Sequence, residues 1–590
     1  MKVFAKRSSS LVFGFGVALI AVGGAGGGAC GGKKAQLNPQ DAAPETPAPD
    51  IDDDLPALPV PGPAPTPPMG WNSWNAFKGN ISDNLFRQVA NAMVSSGMQA
   101  AGYRYVNIDD TWSTQDAAPA YTRGADEALV PNAAKFPNGM GPLADYVHSQ
   151  GLKLGIYADR GVVTCGSYPG SAGHEVQDAT SFAGWGIDYV KYDNCPPTDN
   201  TTCTAVQPAY TAMGAALVGT GKSMVYSLCA WNFCEWGLSI GSLWRTTKDI
   251  TPTRASFLSN MATNNNFAAF AGPNGWNDPD MLEVGNFVFP EDETDAVIAD
   301  YRTHFTLWAI MAAPLITGND LRIMTPAVTT ILTNTEVIAL DQDPLGYQGV
   351  PVWSDGDITS QSVWAKPLNE SGARGVVLYN GTDAAADMTV TLAQIGLRAG
   401  SATARDLWAH TDLGMFQDTF TTNVAAHDVV ALRVAGVEPP QPPAGTVFLS
   451  DLPWIYAANG LGPVDRDQSN SASLATPISI RGTSYTKGIG VAGPSSVVFR
   501  LKKACTTFRA TIGLDDKTSG KGSVSFQVWA DGSKLFDSND AGAVLTGASA
   551  PVPVQVDVTG KQRLKLLVTN GGDGSDFDYA DWADAQLDCM

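Results

Sequence analysis

YRYVNIDD (103–110) and WGIDYVKYDN (185–194) each run from a β-prone, apolar or aromatic stretch directly into carboxylates. The same pattern occurs in LWRTTKDI (243–250) and GWNDPDML (275–282). Acids in this position are typical of the carboxyl ends of parallel barrel strands, which share one edge. The pattern therefore predicts that several acids meet in one pocket.

Strand-like and helical stretches alternate from MGWNSWNAF (69–77) to about Gln342. This alternation predicts a (β/α)8 TIM barrel over residues 67–342, with an active site at the carboxyl ends of its strands. The candidate strands begin near Pro68, Tyr103, Lys153, Ile187, Ser223, Ser242, Ala268 and Leu315.

A chain of 590 residues is too long for one core, so we expect a multidomain protein. Residues 343–436 contain short β-prone runs such as QSVWAKPL, RGVVLYN, ADMTVTL and VVALRV, which predict an antiparallel β-sandwich. A proline-rich linker (437–445) leads to a further all-β pattern, which predicts a second, C-terminal β-sandwich over residues 446–590.

Residues 1–30 have the pattern of an export signal, in which basic residues precede the apolar run LVFGFGVALIAV (11–22) and small residues lead to Cys30. The small residues before Cys30 are similar to a lipobox, which predicts a lipid-anchored cell-surface protein. The alternative is cleavage near Ala29 and a secreted protein, and both place the mature chain outside the cytoplasm. Residues 31–66, rich in Pro, Ala and Asp, predict a disordered tether.

The composition excludes several classes of function. With 37 Lys and Arg against 58 Asp and Glu, the net charge of -21 disfavours nucleic acid as a partner. The five histidines are scattered without an HExxH or CxxC motif, so we predict neither a metal nor a cofactor. No GxSxG elbow or phosphate-binding loop follows a strand. The sequence carries no prediction about the oligomeric state.

Paired carboxylates beside aromatic side chains suit glycoside hydrolysis. Asp193 is the candidate nucleophile, because Lys191 lies on the same face of its strand and favours the charged form. Asp249 follows Arg245 by four residues and is the candidate acid, for which a raised pKa is required. Taken singly, each acid could instead be a helix cap or a turn residue. Their common position after strands favours the catalytic interpretation.

Seven cysteines follow Cys30, an odd number, so at least one lacks a partner within the chain. We predict bonds between Cys165 and Cys195 and between Cys505 and Cys589. The remaining Cys203, Cys229 and Cys234 would then share one bond and one thiol.

From about Thr66 to Val434 the chain resembles glycoside hydrolase family 27, the α-galactosidases and α-N-acetylgalactosaminidases. The motifs that carry the resemblance are TPPMGWNSWNAF, AGYRYVNIDDTW, VHSQGLKLGIYAD, WGIDYVKYDNC, WRTTKDI, GWNDPDML, LWAIMAAPLITGNDL and IALDQDPLGYQG. The resemblance implies that Asp193 is the nucleophile, that Asp249 is the general acid/base, and that the anomeric configuration is retained. It also supports the Cys165–Cys195 bond.

The same resemblance implies the residues that bind the sugar. Asp109 and Asp110 would grip the O4 and O6 hydroxyls, and Trp74 would form an aromatic wall. The further sugar contacts would be Tyr157, Cys165, Lys191, Ala230, Arg245, Asp280 and Met281.

Ala230 departs from the family pattern, because many α-galactosidases carry there a Glu that recognises the 2-hydroxyl. The acetamido-tolerant members of the family carry a small Ser at that position. A small residue leaves room for a 2-acetamido group, although Phe233 could refill the space. Galactose is the expected sugar, and N-acetylgalactosamine is the alternative.

The C-terminal stretch, which includes FLSDLPWIYAANGLGPVDRDQS (448–469), resembles the NPCBM carbohydrate-binding modules. The alternative is a structural sandwich that packs on the enzyme. The acid-rich segment 573–584 could bind Ca²⁺ or be a solvated loop.

Together these features predict an exported, retaining exo-α-galactosidase that acts on α-galactoside oligosaccharides or polysaccharide side chains. The alternatives are an α-N-acetylgalactosaminidase and a non-catalytic surface protein that binds glycans.

Overall fold

The computed structural model of the chain describes residues 62–115, 123–195, 202–471, 476–541 and 544–590. The predicted signal, the lipidation site at Cys30 and most of the predicted tether lie outside these residues. No helix within the described ranges is both long and apolar enough to cross a membrane.

Eight parallel strands in the described ranges form the barrel, in the order β7-β6-β5-β4-β3-β2-β1-β8. Beyond β7, Leu282 pairs with Thr317 of β8, and this bridge closes the ring. The strands are β1 Met69–Asn72, β2 Tyr105–Ile108, β3 Lys153–Asp159, β4 Tyr189–Asp193, β5 Val225–Leu228, β6 Leu243–Arg245, β7 Trp276–Asp278 and β8 Leu315–Thr317.

Helices surround these strands, and several of them bury an apolar face against the barrel. In the helix Asp83–Ser95, the Ser82 hydroxyl caps the start by accepting from the Leu85 amide, and Phe86, Val89 and Met93 face the core. The barrel helices in the described ranges are α1 Trp74–Phe77, α2 Asp83–Ser95, α3 Met98–Ala101, α4 Gly141–Ser149, α5 Glu175–Trp185, α6 Cys203–Gly219, α7 Arg254–Asn265, α8 Asp295–Ile310, α9 Pro326–Leu332 and α10 Thr335–Asp341. Short 3-10 segments lie at Glu235–Ser239, Ala268–Phe270, Pro290–Asp292, Leu321–Ile323, Leu449–Asp451, Asp516–Thr518 and Ser538–Ala541.

Seven of the eight barrel strands begin within two residues of their predicted positions. The remaining prediction, that β7 begins near Ala268, was wrong. Ala268–Phe270 is a 3-10 turn, and the strand is Trp276–Asp278. Ala268 and Ala269 are buried, and a short buried apolar run has no periodicity that separates a helical turn from a strand.

The predicted tether 31–66 extends too far, because residues 62–66 pack on the barrel. The Ala64 amide donates to Asn274 Oδ1 at 3.0 Å, and the Trp276 indole donates to the Ala64 carbonyl at 2.9 Å. Thr66 donates to Gln342 Oε1 at 2.7 Å. These contacts fix the entry of the chain although its composition is that of a linker.

An antiparallel β-sandwich follows the barrel, with one sheet in the order β14-β13-β16-β11-β10-β9 and a smaller sheet of β12 and β15. It is attached to α8, where Arg302 Nε donates to Asp428 Oδ1 at 2.9 Å. Its strands in the described part of the chain are β9 Val350–Ser354, β10 Gln361–Pro367, β11 Ala373–Asn380, β12 Ala386–Thr391, β13 Ser401–Asp406, β14 Thr411–Gln417, β15 Thr419–Val424 and β16 Asp428–Ala435.

The C-terminal β-sandwich packs one sheet around its longest strand, β31, against a second sheet in the order β18-β23-β30-β26-β27. Trp582 is fully buried between them. The strands among the described residues are β17 Gly445–Phe448, β18 Trp454–Ala458, β19 Asp465–Arg466, β20 Ile478–Ile480, β21 Thr483–Tyr485, β22 Gly488–Ala492, β23 Ser495–Arg500, β24 Cys505–Leu514, β25 Ser523–Val524, β26 Phe526–Ala530, β27 Ser533–Asp537, β28 Leu545–Thr546, β29 Val552–Asp557, β30 Arg563–Val568 and β31 Tyr579–Cys589.

Two features of this domain bear on the sequence predictions. The Tyr456 hydroxyl donates to the Gln348 carbonyl at 2.9 Å, and Ile455 and Val498 share a buried cluster with Val350, so the domain packs on the rest of the chain. The acidic segment 573–584 is not a solvated loop throughout, because its second half belongs to β31 and Asp581 is fully buried.

Candidate active site

The parallel register gathers acidic side chains from separate segments at one edge of the barrel. Tyr157 of β3 pairs with Lys191 of β4, and Asp159 pairs with Asp193 one pleat further on. Asp109 and Asp110 directly follow β2, and Asp280 follows β7 by two residues. The four strand-then-acid stretches of the sequence therefore contribute to one site.

The Asp193 carboxylate accepts hydrogen bonds from three donors. Its Oδ2 accepts from the Tyr157 hydroxyl at 2.9 Å. Its Oδ1 accepts from the Asn194 amide at 2.8 Å and from the Trp231 indole at 3.0 Å. Asp193 is only 8% exposed, so these bonds fix the orientation of the carboxylate in the pocket.

Lys191 forms its ion pair with Asp109 rather than with Asp193. Its Nζ lies 2.8 Å from Asp109 Oδ2, and the same oxygen accepts from Asn72 Nδ2 at 2.8 Å. Burial lowers the pKa of Lys191, but the charges of Asp109 and Asp193 outweigh it, so the pKa is raised. The ammonium therefore stays charged and supports both carboxylates.

Asp110 is buried beside this pair. Its Oδ2 accepts from the Gly166 amide at 2.7 Å, and its Oδ1 accepts from the Thr111 amide at 2.6 Å. Burial raises the pKa of Asp110 to about 6, although these hydrogen bonds oppose the shift.

Arg245, at the end of β6, bridges two acids. Its Nη2 donates to Asp249 Oδ1 at 2.9 Å, and its Nη1 lies 3.0 Å from Asp280 Oδ1. The Ile250 amide donates to Asp280 Oδ2 at 2.8 Å and fixes the loop between them. Burial acts to raise the pKa of Asp249, but Arg245 outweighs it and the pKa is lowered. The raised pKa that a general acid requires is therefore absent from the free protein.

A small cavity of about 30 Å³ lies among the residues of the barrel next to these side chains. Four of its lining residues, Lys191, Arg245, Asp280 and Met281, belong to the predicted sugar-binding set. Burial raises the pKa of Asp278, which also lines it, to about 6. The other lining residues are Asn72, Asn107, Tyr189, Ser227, Cys229 and Ile316.

The Cys165–Cys195 disulfide borders the pocket, with Cys195 Sγ 3.6 Å from the Tyr157 hydroxyl. Cys165, Asp193 and Cys195 form a cluster of the size that could hold a metal ion. The two sulfurs are bonded to each other, however, and a disulfide offers no thiolate ligand.

The other predicted disulfide, Cys505–Cys589, is also formed. Of the three cysteines left open by the sequence, Cys203 and Cys234 are bonded. Cys229 is the free thiol among the described cysteines, and burial raises its pKa well above the ordinary value.

Trp74 begins α1, its amide donates to Asn72 Oδ1 at 2.8 Å, and its ring centroid lies 5.2 Å from Lys78 Nζ. Ala230 is buried, and its carbonyl accepts from Asn194 Nδ2 at 3.0 Å. Phe233 stacks on Phe267 and Phe270, with ring centroids 4.5 and 4.9 Å away. Of the two aromatic residues that follow Ala230, Trp231 and Phe233, it is therefore Trp231 that contacts Asp193.

Sequence reasoning missed Asp159 and Trp231. Asp159 is fully buried, and its oxygens accept from the Gly161 and Cys195 amides at 2.6 and 2.8 Å. Burial, with the charge of Asp193, raises the pKa of Asp159 to about 7. The strand KLGIYAD (153–159) carries the strand-then-acid pattern and could have revealed Asp159. No comparable signal marks Trp231.

Comparison with known families accounts for nearly all of the described chain. Residues 66–343 match the family model described as Alpha galactosidase A. Residues 359–434 match the alpha galactosidase C-terminal beta sandwich domain, and residues 445–588 match the NPCBM/NEW2 domain.

Individual relatives cover the barrel and the first sandwich. The α-galactosidase of Cyamopsis tetragonoloba is 44% identical over 367 residues, which are 61% of this chain and 84% of that protein. Alpha-galactosidase A of Cellvibrio japonicus is 40% identical over 397 residues, 63% of this chain and 92% of that protein. Among solved structures, α-galactosidase I from Mortierella vinacea aligns with a TM-score of 0.58 and 35% identity, over 63% of this chain and 98% of that one.

Proposed function

The chain belongs to glycoside hydrolase family 27, the family of the α-galactosidases, and we propose on that premise that Asp193 and Asp249 carry its catalysis. It is an enzyme that hydrolyses terminal α-galactosyl residues. The observation that supports these two roles is the contrast between the carboxylates. Asp193 is buried and held by three donors, whereas Asp249 is exposed and held by one guanidinium on a single oxygen.

The first step is glycosylation of the protein. Asp193 attacks the anomeric carbon while the bond to the leaving oxygen breaks, and Asp249 gives its proton to that oxygen. Asp249 Oδ1 accepts from Arg245, so the proton resides on Oδ2. The product is a galactosyl ester of Asp193 and a free aglycone.

The second step returns the enzyme to its starting state. Asp249, now a carboxylate, takes a proton from water while the water oxygen attacks the anomeric carbon. The ester bond to Asp193 breaks, and galactose leaves with its configuration retained. Arg245 stabilises the carboxylate form of Asp249 that this step requires.

Asp109, Lys191 and Asp110 bind the sugar hydroxyls in this proposal, and Trp74 forms the wall of the pocket. Galactose is the proposed sugar, at the ends of oligosaccharides or of polysaccharide side chains. N-acetylgalactosamine is the second candidate, because the side chain of Ala230 is only a methyl group, which leaves more room for a 2-acetamido group than a Glu would.

The proposal is tested by kcat/KM on matched nitrophenyl α-galactoside and α-N-acetylgalactosaminide, in the wild type and in Asp193→Ala. We expect the galactoside to be preferred and Asp193→Ala to abolish turnover while it still binds galactose. Turnover that survives in Asp193→Ala would remove the nucleophile assignment. A wild type inactive on both substrates would favour a glycan-binding protein without catalysis.

We also propose export of the mature chain, as a lipoprotein anchored through Cys30 or as a secreted protein. Three disulfides among the described cysteines are consistent with an oxidising compartment. Palmitate labelling of the wild type and of Cys30→Ser, followed by cell fractionation, distinguishes the two forms.

A further inference from the structure

A cavity of about 840 Å³ lies between the first β-sandwich and the C-terminal sandwich, and we call it the junction groove. It lies between two sheet edges, because β9 is the last strand of one sheet and β18 is the last strand of the other. The loop of residues 393–397 also lines it. None of the described residues that line it belongs to the candidate active site. Its volume is typical of ligand pockets, which enclose about 300–1,000 Å³.

Arg374 fixes one wall of the junction groove. Its side chain is fully buried and donates to the carbonyls of Ile395 and Gly396 at 2.8 Å each. Its Nη2 lies 2.9 Å from Glu438 Oε2, so one guanidinium joins the loop to the linker. Gly396 has a φ of 69°, and a Cβ atom there would lie 3.0 Å from the Ile455 Cα on β18. These contacts hold the two sandwiches together, so the groove is already formed in the free protein.

The lining of the junction groove is aromatic and uncharged over its accessible part. Trp353 on β9 is 40% exposed, and Trp454 on β18 brings a second indole from the other sandwich. Gln394 and Asn459 add amide groups. No Asp, Glu or His occurs among the described residues that line the groove. Such a surface combines apolar faces with neutral hydrogen-bonding groups.

Two cationic side chains reach the groove, and both already have partners. Lys366 is buried, and its Nζ donates to the Ala309 carbonyl at 3.5 Å. Arg466 donates to two backbone carbonyls, and its guanidinium carbon lies 3.6 Å from the centroid of the Trp454 ring. An anionic ligand therefore finds no free cation there, and the groove favours a neutral ligand.

The two sheet edges that border the groove are poorly suited to pairing with a peptide strand. Pro351 within β9 has no N–H group, and Pro453 directly precedes β18. The register of each strand with its neighbour is also interrupted by an irregularity. Prolines and bulges are features that keep a sheet edge from adding another strand. An extended peptide is therefore disfavoured as the occupant.

We propose that the junction groove binds the main chain of a neutral polysaccharide whose α-galactosyl side groups the active site removes. Pyranose rings have apolar C–H faces that stack on indoles, and their hydroxyls bond amide and backbone groups. Both sandwiches contribute to this site, so it is not a property of the C-terminal module alone. This inference rests on the proposed function for the identity of the side groups. A polymer held at the groove is presented to the active site at a raised local concentration.

The test is affinity electrophoresis of Asp193→Ala, which should not degrade the polymer, in gels that contain galactomannan. Free galactose in the gel occupies the active site, so the remaining retardation reports the groove. Adding Trp353→Ala should weaken the apparent affinity by about five- to tenfold, because one aromatic face is lost. Trp353→Phe keeps an aromatic face and should restore most of the affinity. Phe577→Ala is the matched control, because Phe577 is a 44% exposed aromatic residue of the C-terminal sandwich outside the groove.

Kinetics of the otherwise wild-type enzyme give a second readout. Trp353→Ala should raise KM for galactomannan and leave kcat/KM for nitrophenyl α-galactoside unchanged. If Trp353→Ala does not fold, Trp353→Thr removes the same ring with a residue that suits a strand, and it must show the same loss.

Equal retardation of Asp193→Ala with and without Trp353→Ala overturns the proposal, and so does the absence of any retardation by galactomannan. Retardation by polygalacturonate instead of galactomannan would overturn the assignment of a neutral ligand. Loss of binding only in Phe577→Ala would place the site on the C-terminal module and also overturn the proposal. A wild type without turnover of the nitrophenyl substrate contradicts the proposed function, whereas the groove is judged by retardation, so the two failures are distinguishable.

Discussion

Arg245 Nη2 donates to Asp249 Oδ1 at 2.9 Å, and this contact holds the pKa of the candidate acid below its ordinary value of 3.8 against the effect of burial. Asp249 acts as an acid only when protonated. Because its pKa is lowered, the protonated fraction declines from acidic pH upward. The basic limb of the kcat/KM profile is therefore expected at acidic pH.

Arg245→Gln should move that basic limb to higher pH. Without the guanidinium, the contact that holds the pKa of Asp249 down is lost, so its pKa rises relative to the wild type. The absolute rate will fall, because Arg245 also contacts Asp280, so the shape of the normalised profile is the measurement. Arg254→Gln, which breaks the ion pair with Asp300 on α7 and α8, is the control and should leave the profile unchanged. A limb that stays in place in Arg245→Gln would show that this arginine does not set the protonation of the acid.

The sequence predicts the barrel because strand periodicity and terminal acids are local properties. It cannot predict which charged groups pair. Lys191 and Asp193 share a face of β4, yet Lys191 reaches across to Asp109, which directly follows β2. That choice depends on barrel register and side-chain length, and neither is visible in one stretch of sequence.

Dependence on the tertiary structure also explains why the sequence did not reveal Trp231 as a residue of the site. Asp159 carried the pattern of the other acids, whereas Trp231 gains its position from a strained backbone anchored by Asn194, Tyr210 and a disulfide. These anchors come from segments distant in the chain. The contact between Trp231 and Asp193 is found only when the tertiary structure is known.

We expect the Cys203–Cys234 disulfide to support activity and the Cys505–Cys589 disulfide to support the stability of the C-terminal sandwich. Cys203→Ser with Cys234→Ser frees the segment that carries Trp231, so kcat/KM should fall at least several-fold. Cys505→Ser with Cys589→Ser opens a bond between residues 84 apart in the C-terminal sandwich. It should lower the unfolding free energy of that domain by about 2–5 kcal/mol and leave kcat/KM on the nitrophenyl substrate unchanged. Kinetics and thermal unfolding of both variants measure the contrast. Equal activity losses would mean that the sandwich supports the active site.

Asp581 makes the C-terminal sandwich less stable as pH rises above the ordinary carboxyl range. Its carboxyl group is fully buried on β31 between Gly490 and Gly513 of the neighbouring strands. Burial, and then the charge of Asp515, raise the pKa of Asp581 well above its ordinary value. A raised pKa gives stability that is present below the ordinary carboxyl range and is lost as pH rises through the raised pKa.

Asp581→Asn should therefore stabilise the domain at pH 8, by at least about 1 kcal/mol, and have little effect near pH 4. The measurement is thermal unfolding over that range. Asp584→Asn, at a partly exposed carboxylate on the same strand, is the control and should not flatten the pH dependence. A wild type whose unfolding does not depend on pH in this range would contradict the argument.

Ala230→Glu tests whether position 230 takes part in recognition of the substituent on C2 of the sugar. A carboxylate at 230 accepts a hydrogen bond from the 2-hydroxyl and fills the space beside it, so the preference for galactoside over N-acetylgalactosaminide should rise. The measurement is the ratio of kcat/KM for the two nitrophenyl substrates in the wild type and in Ala230→Glu. An unchanged or reversed preference in Ala230→Glu would remove position 230 from sugar recognition.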